Sequence, residues 1–339
     1  MGIAIPQVIT DRSGAQVIDA SLRFDSDKDT HLKYIPGNSG SFTTFTWSCW
    51  VKRHKNFGTR QHLFGQSADG NNEHYIAFDT DNTLFVSLYQ SATHAYVPTN
   101  AVFRDTEWYH IVWLNDTTQA TASDRIKLYV NGVQQSIDES GGSFTYPTQN
   151  RSGRINNAMN THRIGRGSDA YPFPADVSMT NMYFIDGQGL GPENFGFTDP
   201  LTNTWKPKKY SGTFTNKNSW YLPFDGNTPI GRDQAYFASA YQAWTPQNFG
   251  GSVELDKATG AKPILNTTQG GTQAGVGVFG SNQNVGYAVT VYNDGGGNKY
   301  YIDGVKQATL TGLIRGATYT FDTSDSTVSS HPFRFSATS

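Results

Sequence analysis

The sequence predicts an all-β protein, and three observations carry that prediction. Charged residues make up only 16% of the 339-residue chain, while 35 glycines and an aromatic content of 14% suit short strands joined by tight turns. Runs of β-branched and aromatic residues recur at regular spacing, separated by Gly, Asn, Asp or Pro clusters, as in a β-sandwich. Between Asp105 and Val133 two such runs form a hairpin pattern. The first, Trp108-Tyr109-His110-Ile111-Val112-Trp113-Leu114, is aromatic and β-branched; the second, Arg125-Ile126-Lys127-Leu128-Tyr129-Val130, alternates charged and apolar residues before an Asn131-Gly132 turn.

Taken in order, residues 1–20 read as an extended arm, its apolar run (Ile3, Ile5, Val8, Ile9) interrupted by Pro6. Strands are expected at 21–25, 43–52, 61–65, 74–79, 83–89, 108–114, 125–130, 161–165 and 177–185, together a jelly-roll sandwich over 21–195. Residues 196–284 are expected as a connector. Its first part carries Trp205, Tyr210, Phe214, Trp220, Tyr221 and Phe224, dense enough to pack across the sandwich or a neighbouring subunit; the stretch 227–284 is rich in Gly, Gln, Asn and Thr and reads as irregular. Short strands return at 287–292, 299–302, 308–313, 318–321 and 332–336, which predicts a small β-sandwich over 285–339. Because the last of these lies at the end of the chain, the natural product is expected to continue or to have that edge covered by another chain.

A net charge of -2 and a pI near 6.4 give no broad pull toward nucleic acid or acidic lipid. Cys49 is the only cysteine, which excludes a disulfide within the chain and a multi-cysteine zinc site. No window holds the roughly eighteen apolar residues of a membrane span, and the start lacks a basic and then a long apolar region. Membrane insertion and a cleaved signal peptide are therefore not expected, and synthesis in a host cytoplasm is.

Four tracts carry a resemblance: Ser21-Leu22-Arg23-Phe24, Trp47-Ser48-Cys49-Trp50-Val51-Lys52, Trp108-Tyr109-His110 and Leu128-Tyr129-Val130-Asn131-Gly132. In this order they resemble the strands of laminin G-like, concanavalin A-type jelly rolls. Further on, Tyr183–Gly196, Trp205–Phe214, Trp220–Asp225 and Trp244–Phe249 are similar to a tract of virion fibre and appendage proteins of tailed bacteriophages, especially marine and cyanobacterial ones. The end of the chain, Tyr319–Asp322 with His331–Ser336, resembles a cupredoxin-like module. Copper is not expected there, since beyond Gly286 the chain offers His331 but neither cysteine nor methionine.

The jelly roll also hosts glycosidases, which need two carboxylates at a set separation. The nearest candidate, Asp138-Glu139, places adjacent carboxylates on opposite faces of a strand. There is no G-x-S-x-G elbow and no pair of histidines at helical spacing. The chain is accordingly expected not to be an enzyme and to need no cofactor. Calcium is the one metal weighed, through Asp69, Asp79, Asp81 and Asp124 beside expected loops; the alternative is that these aspartates satisfy turn backbones. For carbohydrate, two groups combine aromatic and polar side chains: Tyr89, His94, Tyr96 and Arg104, and Arg163, Arg166, Asp169, Tyr171 and Phe173. Packing between subunits is the competing reading of both.

The resemblance implies a virion structural protein, a tail fibre or other surface appendage, displaying a lectin-like sandwich toward a host-surface glycan. Its partners would be other virion proteins and copies of itself, a trimer first. The alternatives are a capsid decoration or head-fibre protein without a receptor role, and a free carbohydrate-binding lectin.

Overall fold

Alternation of apolar and polar residues gives each strand a core face and an outer face, and two such sheets bury their apolar faces against each other. The structure, a computed structural model, describes residues 15–18, 20–55, 57–69, 71–91, 93–214, 218–226, 228–235, 244–249, 284–293, 295–307 and 318–334. The strands in chain order are β1 (Leu22–Phe24), β2 (His31–Tyr34), β3 (Thr44–Arg53), β4 (Gln61–Asp69), β5 (Asn72–Phe78), β6 (Thr83–Gln90) and β7 (Thr93–Val102). They continue with β8 (Trp108–Asp116), β9 (Ile126–Val130), β10 (Val133–Gln134), β11 (His162–Ile164) and β12 (Val177–Asp186). Then come β13 (Gly196–Thr198), β14 (Trp205–Pro207), β15 (Trp220–Leu222) and β16 (Thr245–Gln247). The last four are β17 (Asn284–Asn293), β18 (Asn298–Ile302), β19 (Val305–Lys306) and β20 (Thr318–Asp322).

The protein is all-β, as its composition predicts. One sandwich sheet runs β1-β12-β3-β8-β9-β10, with β15 also paired to β12; the other runs β16-β2-β11-β4-β5-β6-β7. Between them lies a core that includes Phe45, Trp47, Cys49, Ile111, Trp113 and Phe184 from the first sheet and Leu32, Phe64, Ile76, Val86 and Val97 from the second. Trp47 stacks on Phe64 across this space, ring centres 6.0 Å apart. The expected hairpin is β8 and β9, in register from Ile111 opposite Val130 to Asn115 opposite Ile126.

The aromatic tract expected as a connector is part of the sandwich. β15 pairs with β12 and β16 with β2, and Trp220, Leu222, Phe224 and Trp244 sit in the main core. Upstream of them, Leu190, Phe195, Tyr210 and Phe214 pack on Val112, Tyr129, Tyr183 and Ile185, the outer face of the first sheet. Every residue of β12 is therefore buried. Residues 187–214 seal that face, because a sheet whose outer positions are apolar has to be covered.

Of the expected arm, Gln16 bonds its backbone N–H to the Pro207 carbonyl at 2.9 Å; residues 1–14 lie outside the described residues, as do 250–283 and the strand expected at 308–313. Residues 275–339 form a separate compact unit. In its sheet β17 pairs antiparallel with β18 and parallel with β20, and Val289, Val291 and Val328 form the core with Tyr300, Phe321 and Phe333 beside them. The strand expected at 332–336 is not formed over Pro332–Arg334, and the rest lies outside the described residues. Pro332 has no N–H to give a sheet; its carbonyl instead accepts from Tyr300 Oη at 3.0 Å. Among the described residues no helix is long and apolar enough to cross a membrane.

Candidate functional site

The second sheet is accessible on its outer face toward its two sides, at Lys33 and Thr245 on one and at Tyr89, His94 and Tyr96 on the other, while Arg163, Gly65, Tyr75 and Ser87 between them are buried. Its core-facing residues, such as Leu32, Ile164, Phe64, Ile76, Val86 and Val97, alternate with residues that point outward. In register across that outer face stand Thr245, Lys33, Arg163, Gly65, Tyr75, Ser87 and Tyr96. A parallel row holds Ser67, Glu73, Tyr89 and His94. The two groups of residues expected to bind carbohydrate are thus brought to one sheet face, joined through Tyr75. The exception is Arg104, which is exposed just beyond β7, at the opposite end of that strand from His94.

Aromatic contacts organise the centre of this face. The His62 ring stacks on Tyr75 with centres 3.9 Å apart, and Phe173 stacks over His62 at 5.3 Å. Tyr171, half exposed, lies parallel to Phe173. Phe85 packs against both Tyr75 and Tyr96. The Arg60 guanidinium lies over the Phe85 and Phe173 rings at 5.1 and 5.5 Å and bonds both Asp79 oxygens. Tyr96 Oη donates to Asp79 at 2.8 Å, and Ser87 Oγ meets His94 Nε2 at 2.9 Å.

Burial tunes the ionisable groups here. It holds the His62 imidazole down to about 3 and lowers His94. It also raises the Glu73 carboxyl, with the Ser67 hydroxyl bond at 2.9 Å offsetting part of the effect. At the other end of the face Arg163 Nη2 bonds Asp169 at 2.9 Å and Arg166 Nη1 bonds it at 2.6 Å, while Arg166 Nε bonds Asp29 at 2.8 Å. The Arg166 bond holds the Asp169 carboxyl below its usual range, with Arg163 adding to it and burial opposing.

Each of the four aspartates weighed for calcium has local partners. Asp69 accepts from Asn71 and Asn72 in the β4–β5 turn, and Asp81 caps Thr83. Asp79 is taken by Arg60 and Tyr96, and Asp124 pairs with Lys127 at 3.0 Å. Among the described residues no three His, Cys, Asp or Glu side chains gather as a metal group. Asp138 and Glu139 also go to local bonds, to Ser140 and Tyr146. Glu73 in β5 and Asp79 just beyond its end are six residues of mostly extended chain apart, about 20 Å, too far for a glycosidase pair.

Lys33, Arg60, His62, Tyr75 and Phe85 were not singled out from sequence. The alternation Glu73-x-Tyr75-x-Ala77 marks one face of a strand, but strand order, which the sequence does not print, is needed to set it beside Arg163. His110, packed on Trp205 and Trp50, lies on the sealed side, where Trp205 Nε1 donates to its Nδ1 at 2.9 Å. Cys49 is buried, and burial pushes its thiol well up, away from a reactive thiolate.

Residues 26–183, β2 through most of β12, match the model of the concanavalin A-like lectin/glucanases superfamily, in keeping with the two-sheet jelly-roll sandwich of this part of the chain. No curated protein sequence matches the chain. Among solved structures it is similar to a native heptameric SAP-like pentraxin from Limulus polyphemus, at 16% identity and a TM-score of 0.36, over 52% of this chain and 79% of the pentraxin. It is also similar to a putative carbohydrate binding protein from Bacteroides ovatus at 14% identity and a TM-score of 0.43, over 68% of this chain and 58% of that one. A third is Trypanosoma rangeli sialidase in complex with sialic acid, at 19% identity and a TM-score of 0.31, over 44% of this chain but 22% of the sialidase. The expectation that the chain is not an enzyme is corrected: the superfamily whose model matches takes in glucanases, so the absence of one familiar carboxylate spacing does not exclude catalysis on such a fold.

Proposed function

We propose that the open face of the second sheet binds carbohydrate, and that the protein does so as part of a tailed-phage virion appendage facing a host-surface glycan. The observation that carries the carbohydrate reading is the asymmetry of the two sheets. Residues 187–214 seal the outer face of the first, whereas the second leaves Tyr89, His94 and Tyr96 accessible at its β6–β7 side and Lys33 accessible on β2. Aromatic faces that accept sugar C–H groups, set among groups that bond hydroxyls, are what a sugar site requires. A fold described as lectin-like supports the same reading.

The virion part rests on the tracts Tyr183–Gly196, Trp205–Phe214, Trp220–Asp225 and Trp244–Phe249, which resemble those of phage fibre and appendage proteins. Other virion proteins and further copies of this chain, three in the first instance, would be its partners.

Binding of the full chain to a glycan microarray, followed by calorimetric titration of the best sugar, tests the first part. Tyr96→Ala and Tyr89→Ala are each expected to weaken binding about fivefold, one stacking contact's worth. Unchanged affinity in both variants would move the site elsewhere. Gold-labelled antiserum on intact particles tests the second part: label on tail fibres supports it, and absence of label from every particle removes it.

A further inference from the structure

At the end of the open face near β11, two guanidinium groups converge on a single carboxylate. The side chains of Arg163 and Arg166 are 10% and 12% exposed, whereas that of Asp169 is 80% exposed. Both cations are largely buried, and Arg166 has a partner besides Asp169. Arg163 stands on β11 between Lys33 and Gly65, with its Nε buried and unbonded. Arg166 is tied through Nε to Asp29. Lys33, exposed beside Arg163, has no ion pair among the described residues. Asp169 is the opposite: it is held by those arginines and stands in solvent, where an ion pair contributes little and the side chain loses entropy by staying put.

We propose that Asp169 occupies the place of a ligand carboxylate, and that the site takes an acidic sugar of the uronate class whose carboxylate displaces Asp169 from Arg163 and Arg166. This rests on the carbohydrate reading of the same face. Guanidinium groups favour carboxylates because two parallel N–H donors match two oxygens. In the exchange Arg166 keeps Asp29, the buried charge of Arg163 stays compensated, and the released Asp169 returns to water. Lys33, the register partner of Arg163 on β2, adds a third positive charge next to it.

The test is calorimetric titration of the full chain with tri-galacturonate, with its methyl ester and with a panel of neutral oligosaccharides, in wild type and in Asp169→Ala. Loss of the internal competitor is expected to tighten tri-galacturonate about fivefold and to leave the methyl ester unchanged. Should Asp169→Ala lower the Tm, Asp169→Asn removes the charge while keeping an acceptor and gives the same readout. Acid affinity that stays equal or weakens in these variants overturns the proposal. If acid and ester bind alike, or only neutral sugars bind, the proposal falls and the carbohydrate reading stands. If no sugar binds either protein, both fall.

Discussion

Gly132 shows how much a single residue carries. It has φ of +80°, Asn131 before it has φ of +49°, and together they close the β9–β10 turn with the left-handed pair that a tight hairpin wants. The Trp205 ring lies directly on Gly132, so an added methyl group would overlap it. The same indole donates to His110, whose other nitrogen then carries the proton toward Ser48 Oγ at 2.9 Å. Gly132→Ala is therefore expected to cost about 1–3 kcal/mol, by strain and displaced packing. Urea unfolding would show it as a lower midpoint at unchanged slope; an unmoved midpoint would mean that Trp205 yields freely.

Among the elements, β12 has the most demanding environment. One of its edges pairs with β3, while the other is shared by β1 at Leu22–Phe24 and by β15 at Trp220–Leu222. The register shift between Thr180 and Tyr183, with Asn181 at φ of +50°, lets both short strands reach that edge. β12 itself was legible, because its apolar run reads as a strand. Its partner β15, more than thirty residues further on, was not: three residues carry no periodicity, and their pairing is decided by packing of Trp220 on Phe184 and Trp244. Strand β7 was not among the expected strands; it carries Pro98, and as the edge of its sheet it tolerates the missing N–H. If the aromatic tract is core, Trp220→Ala and Trp244→Ala should each cost about 3–5 kcal/mol, as for a buried ring in any core. Differences below about 1 kcal/mol in chemical unfolding would return the tract to the status of a connector.

For the sandwich as a whole, the buried histidines set the response to acid. His62, His74 and His110 are held down to about 3 and His162 to about 4, in each case by burial first. The folded protein keeps these imidazoles neutral while the unfolded chain protonates them near 6.5, so the unfolded state binds the extra protons. Their contribution is fully present above 6.5 and is lost progressively as pH falls toward the folded values. The raised carboxyls of Glu73 and Asp186 act in the opposite direction, from their raised folded values down to the unfolded carboxylate range. Four histidines with large shifts outweigh these two carboxyls, and the Tm is expected to fall from pH 7 to pH 5. A flat Tm over that interval would show that these rings are solvated in the folded state.

By itself the sequence determined the all-β class, most strands of the jelly roll and the β8–β9 hairpin, since these depend on local alternation and turn chemistry that any short window displays. It also marked Tyr89, His94, Tyr96, Arg163, Arg166, Asp169 and Tyr171 as residues with sugar-binding chemistry. Only the tertiary structure decided that most of them share one sheet face, that Arg104 stands apart, and that the aromatic tract seals the other sheet. Strand order and register arise from contacts between segments far apart in the chain, and burial of side chains such as Trp220 on a distant strand is what selects one pairing over the rest.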